Sequence, residues 1–122
     1  MLYKKLTGQI IESFYKVYNQ LGYGFLEKVY ENALLKELRK QELKCTPQLP
    51  IKVYYDDTVV GKYFADIIVD QKIIVELKTS ETLTKANEFQ LINYLKATNL
   101  EIGLLFNFGK KPQFRRKIFT NK

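Results

Sequence analysis

A chain of 122 residues, 46% hydrophobic, is one domain's worth of sequence over residues 1–122, too short for two domains and too apolar for disorder over most of its length. With no histidine and one cysteine, Cys45, it excludes the usual zinc sites, histidine acid/base schemes and an internal disulfide, leaving carboxylates, lysine, tyrosine, amides or an oxygen-bound hard metal. A net charge of +7 and a pI near 9.4 favour polyanionic partners such as nucleic acid, and the lack of a long apolar run or signal-peptide core predicts a cytoplasmic protein.

Leu6, Ile10, Ile11, Phe14, Val17, Tyr18 and Leu21 recur at helical spacing, which predicts an amphipathic helix over 7–21, stopped by Gly22-Tyr23-Gly24. A second helix is expected over 26–41 with a stripe of Leu26, Val29, Tyr30, Ala33, Leu34 and Leu38. Pro47 and Pro50 predict that the strand over 49–55 lies at an edge and that its pairing starts late. Asp56-Asp57 makes a turn, and strands over 59–69 and 73–79 form a central hairpin. A helix over 84–98, a short buried strand over 102–106 and a last edge strand over 116–119 complete the chain. The order predicts a mixed α/β sheet with helices on its faces.

The central hairpin carries the chemistry. Phe64-Ala65-Asp66-Ile67-Ile68-Val69 and Ile73-Ile74-Val75-Glu76-Leu77-Lys78 flank the turn Asp70-Gln71-Lys72. Symmetry about Gln71 would set Asp66 opposite Glu76 and Ile68 opposite Ile74, with Lys78 on the same face. Directly opposed residues have Cβ atoms about 4.5 to 5.5 Å apart, and like charges so placed are destabilising unless neutralised, as a divalent cation would do. A slip of one residue would send one acid to the other face. The alternative is a solvated face on which lysines satisfy both acids. Ile68, Ile74 and Phe64 on that face argue that it is covered.

Three further features stand beside the hairpin. Glu27 falls between Leu34 and Leu38 in helical angle, so it either enters a buried face and needs a partner or, near the helix start, complements the dipole and bends to water. Gln90 and Tyr94 are four apart and share a small, polar face with Ala86, Asn93 and Ala97, which reads either as a ligand-facing surface or as a hydrogen-bonded amide beside a packed tyrosine. Lys110, Lys111, Arg115, Arg116, Lys117 and Lys122 crowd the last thirteen residues, as a solvated end or as a phosphate-contacting strip.

The run Gly24-Phe25-Leu26-Glu27-Lys28-Val29-Tyr30 resembles the signature of the GxxExxY family, and Asp66, Glu76-Leu77-Lys78 and Gln90 through Tyr94 resemble the remaining motifs of the PD-(D/E)XK nuclease superfamily to which that family is assigned. One departure is Asn87, where relatives often carry histidine. The resemblance implies a restriction-endonuclease-like fold with a mixed four-stranded core sheet. It further implies Mg²⁺ or Mn²⁺ bound by Glu27, Asp66, Glu76 and the carbonyl of Leu77. Lys78 would act on the attacking water, and Gln90 and Tyr94 would hold the lysine, the water or the DNA backbone. The function implied is hydrolysis of phosphodiester bonds in DNA. A non-catalytic nucleic-acid-binding or assembly module and a small nucleotide phosphohydrolase are the rival expectations. So small a domain presents little surface to DNA, which makes a homodimer or a partner protein plausible.

Overall fold

The computed structural model describes residues 3–120. Two helices, α1 (Lys4–Leu21) and α2 (Glu27–Lys40), precede strands β1 (Cys45–Tyr55), β2 (Thr58–Val69) and β3 (Ile73–Lys78). Helix α3 (Lys85–Lys96) then crosses to β4 (Ile102–Phe108), and β5 (Pro112–Ile118) closes the order. The five strands form one sheet in sequence order, with β3 and β4 parallel and every other pair antiparallel. The sheet has five strands where the resemblance implied a four-stranded core, and the last edge strand, expected over 116–119, begins at Pro112 and pairs along all of β4.

Turn chemistry sets the register of both hairpins. Asp56 and Asp57 lie at φ 49° and 60°, and Asp70 and Gln71 at 51° and 55°, a left-handed conformation that aspartate tolerates better than most residues. The Lys72 amide donates to the Val69 carbonyl at 2.9 Å, and Ile68 faces Ile74 as the symmetric register requires.

The expectation of late pairing in β1 is overturned. β1 pairs with β2 from Cys45↔Val69 onward, through Pro47↔Ile67 and Pro50↔Phe64. It is an edge strand, so a missing N–H can lie on its open side.

Two cores sandwich the sheet. On one face Ile10, Phe14, Tyr30, Leu34 and Leu38 cover Ile67, Val75, Leu104 and Phe106. On the other, Leu91 and Leu95 of α3 cover Ile68, Ile74 and Leu105. β3 and β4 are therefore buried on both faces, which explains their continuous apolar runs.

The long hairpin exchanges faces partway. The partners Cys45 and Val69 belong to the first core, whereas Leu49 and Ala65, each an even number of residues away, belong to the second. The break falls at Gln48, at φ 51°, opposite Asp66. Phe64 is consequently not covered with Ile68 as expected; it is 49% exposed, with the Lys62 ammonium 5.4 Å from its ring centre.

Helix α2 is rotated from its expected stripe. Leu26 is 80% exposed and Val29 is exposed, while Glu31 and Leu35 are buried beside Tyr30, Leu34 and Leu38. Tyr30 stacks on Phe108 at 4.2 Å, and its hydroxyl donates to the Gly22 carbonyl at 2.6 Å and accepts from the Phe25 amide at 3.2 Å. One phenol thus ties down the loop that delivers Glu27, a loop that also needs Gly24 at φ 111°. Tyr30→Phe is expected to destabilise the fold by about 0.5–1.5 kcal/mol in urea denaturation, because the partly exposed Gly22 carbonyl and Phe25 amide lose their partner. An unchanged midpoint would show that water replaces the phenol.

Candidate active site

Asp66 and Glu76 meet where β2 and β3 part. The β2–β3 ladder runs from Val69↔Ile73 to Ile67↔Val75, and the next pair exchanges side chain for backbone. The Asp66 amide donates to Glu76 Oε2 at 2.7 Å, and the Leu77 amide donates to Asp66 Oδ2 at 2.8 Å. Each carboxylate thereby satisfies a backbone N–H that a ladder carbonyl would otherwise take, and each keeps one oxygen outside the exchange.

Burial makes this costly. Glu76 follows Ile74 on the α3 side of β3 and is buried. Desolvation, and after it the Asp66 charge, push the Glu76 pKa up to about 8, against the pull of the Asp66 amide and Lys78. Asp66 is half-buried and also raised, by burial first, with the Leu77 amide opposing. Near neutral pH and without a cation, the pair therefore retains a proton on Glu76.

The other expected residues take definite places. Lys78 is half-buried at the end of β3, within electrostatic reach of Glu27, Asp66 and Glu76. Glu27 opens α2 and stays exposed, the water-facing alternative, yet its pKa is raised by desolvation and by Asp66 and Glu31, with Lys78 opposing. Leu77 lies between the acid and the lysine and is buried. Tyr94 is buried, and desolvation followed by the Glu76 and Asp66 charges raises its pKa to about 12, so it stays a neutral phenol at the mouth of the acid pair. Gln90 is half-buried and lines, with Ala86, Asn93, Tyr94 and Ala97, a cavity of about 780 Å³. The small, polar side of α3 thus lines a cavity. Asn87 closes a capping box with Thr84, at 3.0 and 3.1 Å, so its amide serves the start of α3.

Glu31 and Gln48 are two residues the sequence reading missed. Glu31 is only 4% exposed, paired to Lys28 at 2.8 Å, and its Oε1 accepts from Gln48 Nε2 at 2.8 Å. The same Gln48 nitrogen lies 3.5 Å from Asp66 Oδ1, so the amide at the strand break links α2 to the acid pair. The signal was present, since Glu31 precedes Leu34, Leu35 and Leu38 by three, four and seven residues and follows Glu27 by four.

The basic tail is divided. The Lys110 segment lines a smaller cavity with Gly24 to Leu26 and Thr79 to Glu81, beyond the lysine end of β3, and the Tyr18 hydroxyl donates to the Gly109 and Lys110 carbonyls. A Cβ at Gly109 would collide with the Ser80 carbonyl, and Asn107 bridges to the Ser80 amide and carbonyl at 3.0 and 2.9 Å. Lys111 is exposed, and Arg116 is half-buried in β5. Arg115 and Lys117 face Glu88 of α3 as ion pairs. Lys122 lies outside the described residues.

Chemically the donors suit a hard divalent cation, which prefers oxygen and accepts one or two carboxylates while keeping its waters. Asp66, Glu76 and the Leu77 backbone provide that much. Among the described residues, however, no three acids converge on one cation position, unlike the expected gathering of Glu27, Asp66 and Glu76.

The raised pKa of Glu76 has a measurable sign. Its carboxyl is neutral in both folded and unfolded chains below about pH 4.5; as pH rises from there to about 8, only the unfolded chain ionises and stability falls. Glu76→Gln is therefore expected to match the metal-free protein near pH 4 and to exceed its stability by a few kcal/mol above pH 8, by denaturation in chelator. A difference independent of pH would contradict the buried proton.

A sequence profile described as the PD-(D/E)XK nuclease superfamily matches residues 4–117. No curated protein matches the chain. Among solved structures, the crystal structure of SSO0001 superposes with a TM-score of 0.63 at 19% identity, covering 79% of this chain and 52% of that one. The chain thus spans about half the length of that protein, and the likeness is one of fold. Among the described residues no helix is long and apolar enough to cross a membrane. With the profile extending over nearly all of its elements and an acid pair followed by lysine at the parting of two sheet strands, the chain belongs to the PD-(D/E)XK nuclease superfamily.

Proposed function

We propose that this protein is a metal-dependent nuclease that hydrolyses phosphodiester bonds in DNA, with the GxxExxY group as its place in the superfamily. The observation that carries the reading is the pair of half-buried Asp66 and buried Glu76 near Lys78, since a fold gains nothing from desolvating two adjacent acids that, among the described residues, no lysine neutralises by direct contact. Asp66, Glu76 and the Leu77 carbonyl would hold Mg²⁺ or Mn²⁺, with Glu27 as an outer acid. Such an ion polarises the phosphoryl oxygen and acidifies its bound water. Lys78 holds its ammonium against the charge that develops on the phosphate and orients the attacking water. Tyr94, kept protonated, and Gln90 donate hydrogen bonds to the scissile strand or to that water. Gln48 and Glu31 position Asp66 rather than touch the substrate.

That no three acids converge among the described residues favours, as a second reading, a DNA-binding module without turnover. Incubating the protein with labelled DNA of several forms and Mg²⁺ or Mn²⁺ separates the two. Asp66→Ala, Glu76→Ala and Lys78→Ala are each expected to slow cleavage by at least about 100-fold while the fold persists by circular dichroism. Cleavage no faster in the native protein than in Lys78→Ala, alongside salt-sensitive DNA binding, would establish the second reading instead.

A further inference from the structure

The β1–β2 hairpin is longer than the sheet requires. β3 pairs with Ile67 to Val69 of β2, so the part of the hairpin beyond Asp66 projects as an arm whose strands, among the described residues, pair only with each other. The cavity of about 780 Å³ lies between this arm and α3, within the range of roughly 300–1,000 Å³ typical of ligand sites. Tyr54 and Tyr63 line it from the arm, and Phe89 and Tyr94 from α3, with the Tyr63 and Tyr94 rings 5.5 Å apart. Tyr54 and Phe89 are 60% and 61% exposed, so neither ring owes its position to the core. Among the described residues of the lining, Lys52 and Lys96 are the charged ones and none is acidic.

On the nuclease reading of the adjoining acid pair, we propose that this cleft binds single-stranded DNA, stacking unpaired bases on its aromatic walls and leading the strand past Tyr94 to Asp66 and Glu76. Several features select that occupant. Aromatic faces interleaved with lysines are how proteins hold single strands without reading sequence, because every base offers a π-face and every nucleotide a phosphate. Bases inside a duplex are already stacked and cannot reach such walls without being extruded. The floor of the cleft is the side of α3 that carries the small side chains of Ala86 and Ala97, which lets a base approach the helix closely. Tyr94 lines the cleft and lies within electrostatic reach of Glu76 and Asp66, which sets the acids near this wall.

The test is binding without turnover. In chelator, fluorescence anisotropy with a labelled thymidine homopolymer and a blunt duplex of equal length should show the single strand bound at least about tenfold more tightly. Tyr54→Ala and Phe89→Ala should each weaken single-strand binding roughly 5- to 100-fold with an unchanged circular dichroism spectrum. Lys52→Gln should lower the slope of log affinity against log salt by about 0.7. Equal affinity for the two DNA forms, a comparison that needs no variant, would overturn the proposal, as would unaltered single-strand binding in the Tyr54→Ala/Phe89→Ala double variant. Selective binding with no metal-dependent cleavage would remove the nuclease reading and leave the cleft. Cleavage indifferent to strand form and to Phe89→Ala would do the reverse.

Discussion

The reciprocal exchange between Asp66 and Glu76 is the constraint on which the site depends. Two acids opposed across an antiparallel pair repel, and the ladder cannot close over them. It opens instead, and each carboxylate takes the place of a backbone acceptor by receiving the N–H from across the gap. The hydrogen bonds that the sheet loses are thereby replaced, while the acids are held in a half-dry position where their charge is expensive. A helix capped by its own side chains, α3, brings Tyr94 within electrostatic reach of them.

What surrounds the pair supports it from both faces of the sheet. On the α2 side, Tyr30 clamps the loop before Glu27, and Glu31 reaches Asp66 through the Gln48 amide. Gln48 can do this because β1 breaks there into a left-handed residue, which turns the hairpin over and places its outer half on the α3 side. The same break that orients an acid also builds a wall of the neighbouring cleft. One local distortion therefore shapes two parts of the surface.

The positive charge is distributed unevenly around this arrangement. Arg115 and Lys117 are occupied with Glu88, which links β5 to α3 and stiffens the far edge of the sheet. Lys52 and Lys96 line the cleft, and Lys110 lies beyond the opposite end of the site.

Much was legible in the chain because it depends on neighbours a few residues apart. The turn at Asp70-Gln71 sets the pairing of Ile68 with Ile74, and alternation along β3 then assigns Glu76 its side, so the acid pair follows from local rules. The small, polar side of α3 is likewise a matter of helical spacing. The face that α2 buries, the burial of Glu31, the turnover of the hairpin at Gln48 and the full length of the last strand were decided only by tertiary packing. Apolar residues on α2 surround more than one arc, and stacking of Tyr30 on Phe108 selects the arc that hides Glu31 and leaves Leu26 in water. Spacing lists which faces a segment offers; the partner that covers one of them determines which face is used.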